Sequence, residues 1–209
     1  MRSVFLLFFL PLSLYALYCG NPDAPELPEK GMVIPLKSPV SFNLGYQGDC
    51  VFKTDRHFHY VMNQGVLTLN WIDRVEVFAS LGGMEGRFKG METKKGLTWG
   101  VGSQVLLLYW NRFLMGVNAK FQMASLQDFK YREWQIAPAI GCEWKYIRPY
   151  LGVAYHSVDL KIGRIKSNHH NPFILYFGVG LTPGKIIALN LEGRVIGEAA
   201  FSLSINFRF

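Results

Sequence analysis

The last ten residues of the chain, AFSLSINFRF, place Phe201, Leu203, Ile205, Phe207 and Phe209 at every second position, with Ser202, Ser204, Asn206 and Arg208 between them. A repeat of two is the period of a strand; a helix would scatter the same aromatics around its circumference. KIIALNLEGRV repeats the pattern, with Ile187, Leu189, Leu191 and Val195 against Ala188, Asn190, Glu192 and Arg194. Similar alternation marks Val40 to Tyr46, Gln64 to Trp71, Arg74 to Leu81, Leu97 to Tyr109, Phe113 to Met123, Tyr131 to Trp144, Arg148 to Val158 and Phe173 to Leu181. Together these make about ten predicted strands. Half of the 209 residues are hydrophobic, yet no interior apolar run reaches the about 20 residues that a membrane helix needs. Alternation accounts for the mismatch, because the apolar residues form a continuous surface only once strands pair.

The connections carry a second pattern. Ile72-Asp73, Trp110-Asn111-Arg112, Lys145-Tyr146-Ile147 and Thr182-Pro183-Gly184 are tight, whereas the segments near 48–63, 82–96, 124–130 and 159–172 are longer and richer in charge or histidine. Alternating short and long connections with an even strand count describe an antiparallel up-and-down transmembrane β-barrel, with short periplasmic turns and longer outer loops. A soluble β-sandwich would also alternate. Against it stand strands of ten residues or more, since a tilted crossing takes about 9–11 residues. Aromatics also gather beside the short turns (Trp71, Tyr109, Trp110, Trp144, Tyr146 and Phe209), as an interfacial girdle would. The face opposite the apolar one, such as Thr98, Gly100, Gly102 and Gln104, suits a lumen. By phase, that lumen receives Glu76, Lys120, Glu133, Glu143, Glu192, Arg194 and Arg208, which would either pair across a narrow interior or line a water-filled pore. The terminal Phe209 resembles the carboxy-terminal assembly signal of bacterial outer-membrane proteins.

At the amino terminus, Arg2 precedes an apolar run from Val4 to Tyr18. This reads as a secretory signal peptide, residues 1–16, cleaved after Ala16. The run is short for an anchor helix, and Tyr18 is bulky where lipidation of Cys19 would want a small residue. Loss of Arg2 leaves 21 basic against 15 acidic side chains, a formal charge of +6. Residues 17–39 follow as a proline-rich segment in which neither helix nor ladder can run, and residues 40–209 form the barrel domain. The expected location is the cell outer membrane.

Several stretches resemble the chlamydial major outer membrane protein, a porin family: LYCGNPDAPELPEKG after the cleavage point, LGYQGDCVFKT (44–54), LTLNWIDRVEVFASLG (67–82), EWQIAPAIGCEWKYIRPYLGV (133–153) and INFRF (205–209). The chain is roughly half that family's usual length, and a narrower barrel puts free diffusion of solutes in doubt, because lumen width grows with strand number. The resemblance implies a porin for small solutes or ions, a structural envelope component, or both. It also implies a disulfide-linked envelope, with other envelope proteins or a second copy as partners.

Three cysteines, an odd number, leave at least one as a free thiol or for an intermolecular bridge. Cys142 runs in phase with Ile136 and Ile140 and is expected to face lipid, whereas Cys19 in the leader and Cys50 just past the first strand are better placed to cross-link. His57, His59 and Asp55 in one expected loop and His169-His170 in another have weak spacing for a metal site. Asp55, Asp73, Asp128 and His156, considered for a protease at the barrel rim, form no assembled acid/base pair. No nucleotide loop, nucleophile elbow or paired CxxC is present, so neither an enzyme nor a cofactor is expected. The basic residues lack an aromatic-interleaved patch, which argues for lipid head groups over nucleic acid. A different functional class remains open: a non-conducting barrel whose outer loops at 48–63, 82–96 and 159–172 bind a host or envelope partner.

Overall fold

The computed structural model describes residues 40–53, 58–71, 75–88, 92–127, 129–162, 165–169, 173–183, 187–197 and 199–208. The signal segment, the proline-rich segment with Cys19, and Asp55, His57, Asp73, Asp128, His170 and Phe209 lie outside them.

Eleven strands follow in order: β1 (Val40–Lys53), β2 (Phe58–Trp71), β3 (Val75–Phe88), β4 (Lys94–Trp110), β5 (Phe113–Leu126), β6 (Phe129–Cys142), β7 (Ile147–Ile162), β8 (Ile165–His169), β9 (Phe173–Leu181), β10 (Ile187–Ile196) and β11 (Ala199–Arg208). Each pairs antiparallel with its neighbour, and β1 pairs with β11 to close a ten-stranded ring of β1 to β7 and β9 to β11. Closure excludes the sandwich and leaves the wall without an edge, the condition for crossing a bilayer with strands. The short β8 pairs with β7 alone, beyond the point where β9 leaves it, and forms a flange at the outer end.

The outward phase carries an uncharged band that includes Leu44, Leu67, Leu81, Val101, Met115, Ile136, Ile140, Leu151, Phe177 and Phe207, all exposed. Local chemistry sets the tight end. Asn111 and Arg112 both have positive φ, 45° and 77°, in a two-residue loop between the paired Trp110 and Phe113. That is the backbone a short hairpin with right-handed twist requires. Just before it, the ladder slips between Leu106 and Leu108. This bulge at Leu107 reverses the phase of β4, so Trp110 is exposed on the outside while Tyr109 takes the register position of the buried Leu114.

The strands run further outward than alternation in the sequence indicates, and most of the expected loop residues at 48–63, 82–96, 124–130 and 159–172 are in ladders. The reason is that sidedness inverts along the barrel axis. Near the outer end the outward residues are His59, Glu85, Arg87, Lys95, Lys130, Arg132 and Lys161, all exposed. The inward ones are Val51, Tyr60, Met62, Met84, Leu126, Phe129, Tyr131, Val158 and Leu160, which pack into one cluster. Charge there marks the wet outer face of a sheet, and not a loop.

Candidate functional site

The feature that decides function in a barrel is its lumen, and this one is filled in layers. The outer layer is the apolar cluster just described, to which Ala124 and Ala200 also belong. Its side chains come from β1, β2, β3, β5, β6, β7 and β11, so it extends around most of the ring.

Below it lies a polar layer. Thr98 sits at its centre on β4: its hydroxyl donates to the carbonyl of Met123 at 3.1 Å and accepts from Gln64 Nε2 at 3.2 Å and Gln122 Nε2 at 2.8 Å. Gln122 Nε2 also contacts Met62 Sδ, which ties the polar layer to the apolar one. On the adjoining strands β6 and β7, Tyr131 donates to Glu133 Oε2, and His156 Nδ1 lies 3.4 Å from Glu133 Oε1. Lys120 interacts electrostatically with Glu133, Glu192 and Arg194. Two basic and two acidic side chains from β5, β6 and β10 thus share the mid-lumen, with balanced formal charges. That is the arrangement a desolvated interior tolerates, because an isolated charge there would cost several kcal/mol.

The third layer, toward the short-turn end, alternates large and small residues. Tyr150 on β7 is the cross-strand partner of Gly178, and Gly152 is the partner of Tyr176 on β9. Each tyrosine leans across its own partner glycine: a Cβ on Gly178 would lie 2.1 Å from Tyr150 Oη, and one on Gly152 2.3 Å from Tyr176 Oη. Glycine is required at both positions for this close approach. The rings meet edge-on at 6.3 Å. Tyr150 Oη points at Asn190 Oδ1 and Glu192 Oε2, each at 3.1 Å, and Tyr176 donates to the Pro138 carbonyl at 3.1 Å. Asn118 Nδ2 donates to Gln104 Oε1 at 3.3 Å, and Arg148 pairs with Glu143 at 3.1 Å. A cavity of about 30 Å³ remains here, with Gln104, Leu114, Asn118, Arg148 and Tyr150 in its lining. That is room for about two waters, since one needs about 10–15 Å³.

Burial shows how complete the filling is. Gln64, Thr98, Gln122 and Gln135 are each at most 1% exposed, and Glu133, Glu192 and Arg194 are each 2%. A continuous water column would wet these groups, because they surround the axis from β2, β4, β5, β6 and β10.

Of the residues assigned to the lumen by phase, Glu76, Lys120, Glu133, Glu143, Glu192 and Arg194 are buried, and Arg208 ends β11 in register with Asn43. Of the aromatics at the short turns, Trp110, Trp144 and Tyr146 are exposed; Trp71 ends β2 and Tyr109 lies in β4. A second aromatic belt, nearer the outer end, escaped the sequence reading: Trp99 with Phe121 at 5.9 Å, Trp134 with Tyr155 at 5.2 Å, and Tyr155 with Phe173 at 5.8 Å. Its signal was available in the phase of each strand, but the belt is assembled from positions far apart in the chain.

Cys50 requires a correction. It does not follow the first strand but lies within β1, on the outward phase, paired with Val61 and Phe201 and only 7% exposed. The strand continues to Lys53, so larger neighbours shield the thiol, and a cross-link there would require them to move. Cys142 lies on the outward phase of β6 and is partly exposed. His59 is an exposed residue of β2 and His169 ends β8. His156 is buried in the lumen and not at the rim. Among the described residues no group of three or more His, Cys, Asp or Glu could hold a metal.

Comparison with known proteins places this architecture among outer-membrane β-barrels. The β domain of the Bordetella autotransporter BrkA superposes with a TM-score of 0.50 at 10% identity, covering 82% of this chain and 99% of that one. An outer membrane channel from Pseudomonas putida F1 gives a TM-score of 0.44 at 8% identity, covering 81% and 93%. The outer membrane protease OmpT from Escherichia coli gives 0.35 at 9% identity, also covering 81% and 93%. No family model matches the chain, and no curated protein matches it. The fold is that of an outer-membrane barrel.

Proposed function

We propose that this protein is a structural outer-membrane β-barrel of the chlamydial major-outer-membrane type, whose lumen is sealed at rest. It resides in the outer membrane after export through the amino-terminal signal. The observation that carries the reading is the filled interior: an apolar core at the outer end above a desolvated polar layer with balanced formal charges. A pore wide enough for solutes needs a continuous wet path, and lumen width at ten strands leaves little room beyond the side chains. The sequence resemblance supports the envelope role, and cross-linking through Cys19 belongs to the same reading. The barrel is assigned no reaction.

The second reading, a channel for ions or small solutes, is favoured by the charged residues Lys120, Glu133, Glu192 and Arg194 in the mid-lumen, which could set ion preference if the outer core opened. Planar-bilayer recording of the refolded protein separates the two. Silence at every voltage is expected. Discrete wild-type openings that change with Lys120→Glu or Arg194→Glu would replace the sealed reading by the channel.

A further inference from the structure

The outer ends of β6, β7 and β8 carry a row of like charge. Lys130 and Lys161 are direct cross-strand partners, and Lys161 is also the partner of Lys166 on β8. One outward position nearer the membrane, Arg132 is paired with Asp159. Lys130, Arg132 and Lys161 are exposed and Asp159 half-buried. Residues directly opposite in a ladder have Cβ atoms about 4.5–5.5 Å apart, and like charges there destabilise the pair. On β3 and β4, by contrast, Glu85 and Lys95 are partners of opposite charge, with Nζ 2.6 Å from Oε1. Among the described residues, the outward positions of β6 and β7 at this level therefore hold Lys130, Arg132 and Lys161 against one acid, Asp159.

The height of this row identifies what meets it. Trp134 is two residues from Arg132 along β6, a step of about 7 Å, and it belongs to the belt with Tyr155 and Phe173. On the membrane side of the belt the outward residues are Ile136, Ile140, Leu151 and Val153, all exposed and apolar. Tryptophan and tyrosine settle at the head-group level, so Arg132 lies in the phosphate zone of the outer leaflet, with Lys130 and Lys161 just above it. We propose that Lys130, Arg132 and Lys161 form a binding site for the phosphate groups of an outer-leaflet glycolipid, whose acyl chains lie against Trp134, Tyr155 and Phe173. A lipid fits better than a soluble polyanion because it meets the charges and the aromatic belt together. The phosphate offsets the lysine repulsion that the ladder otherwise carries.

The proposal rests on the transmembrane reading above. Native mass spectrometry of refolded protein in detergent with lipid A, its monophosphoryl form and its dephosphorylated form tests it. Wild type should retain lipid A, the monophosphoryl form less and the dephosphorylated form least. Lys130→Gln/Lys161→Gln should lower lipid A retention about 30-fold, about 2 kcal/mol, and Lys95→Gln should leave it unchanged. In detergent without lipid A the double variant should melt at a higher temperature than wild type, since only repulsion has been removed. Equal lipid A retention by wild type and the double variant would overturn the proposal. So would lysine-dependent binding of heparin with no retention of lipid A, which would assign the row to a sulfated glycan. Heat-modifiable migration of the same samples reports the folded barrel separately, so a wild type that lacks it would count against the transmembrane reading and not against this site.

Discussion

Leu126→Ala tests whether the outer end of the barrel is a packed core or a wet vestibule. Leu126 is 1% exposed and lies in the cluster with Met62, Met84, Phe129 and Leu160. In a packed core, truncation loses the transfer free energy of the removed atoms, about 2 kcal/mol, together with a cavity term. Large-to-small leucine changes in cores total about 2–5 kcal/mol. Met62 and Met84 are flexible and can partly fill the space, so a cost of about 2.5–3.5 kcal/mol is expected. The assay is equilibrium urea unfolding in lipid vesicles, followed by the loss of heat-modifiable migration and of strand signal in circular dichroism. Phe129→Leu, a smaller change at the same layer, should cost less. A Leu126→Ala cost below about 1 kcal/mol would mean that this side chain already meets water in the folded barrel. The outer lumen would then be open to water and not sealed, whatever the conductance record showed.

Three further outcomes follow from the geometry. Gly178→Ala should destabilise the barrel by about 2–3 kcal/mol in the same assay, in the range for overpacking, because its Cβ would fall 2.6 Å from the Leu191 carbonyl as well as against Tyr150; a neutral result would refute the tyrosine-over-glycine packing. Arg148→Ala should cost about 3 kcal/mol by removing the guanidinium paired with the buried Glu143, and Glu143→Gln added to it should recover part of that loss, so strictly additive losses would show that the pair is not coupled. Arg112→Gly should raise stability by up to about 1 kcal/mol, since a positive φ of 77° strains a side chain but not glycine; a lower unfolding midpoint would mean that the arginine side chain makes a contact worth more than the strain.

Much of this architecture was legible in the one-dimensional pattern. The ladders Phe173–Leu181 and Ile187–Ile196 fall where alternation places them, and so do the short turn at Asn111-Arg112 and the buried positions of Glu76, Lys120, Glu133, Glu192 and Arg194. A strand exposes its two faces by strict alternation, so composition at every second position is readable without neighbours. Reading failed where the rule depends on partners. The charges in residues 58–63 and 82–88 suggest loops, although the alternation there continues with the apolar face turned inward. The bulge at Leu107 was invisible for the same reason: a slip of one residue leaves no mark on composition and appears only against the register of β5. Cys50, on a face with Tyr46 and Phe52, could be judged shielded only once Val61 and Phe201 were known to flank it.

By itself, then, the sequence determined that the chain forms about ten long two-faced strands, with tight turns at one end and an uncharged band for lipid. Tertiary structure alone decided how the ring closes, that β8 stands outside it, and that the same alternation reverses sides toward the outer end. The physical reason is that periodicity specifies a difference between two faces, while which face meets water depends on height along the barrel axis and on the strands that pack across the lumen. The sealed interior and the lysine row of β6 to β8 both arise from that second, non-local decision.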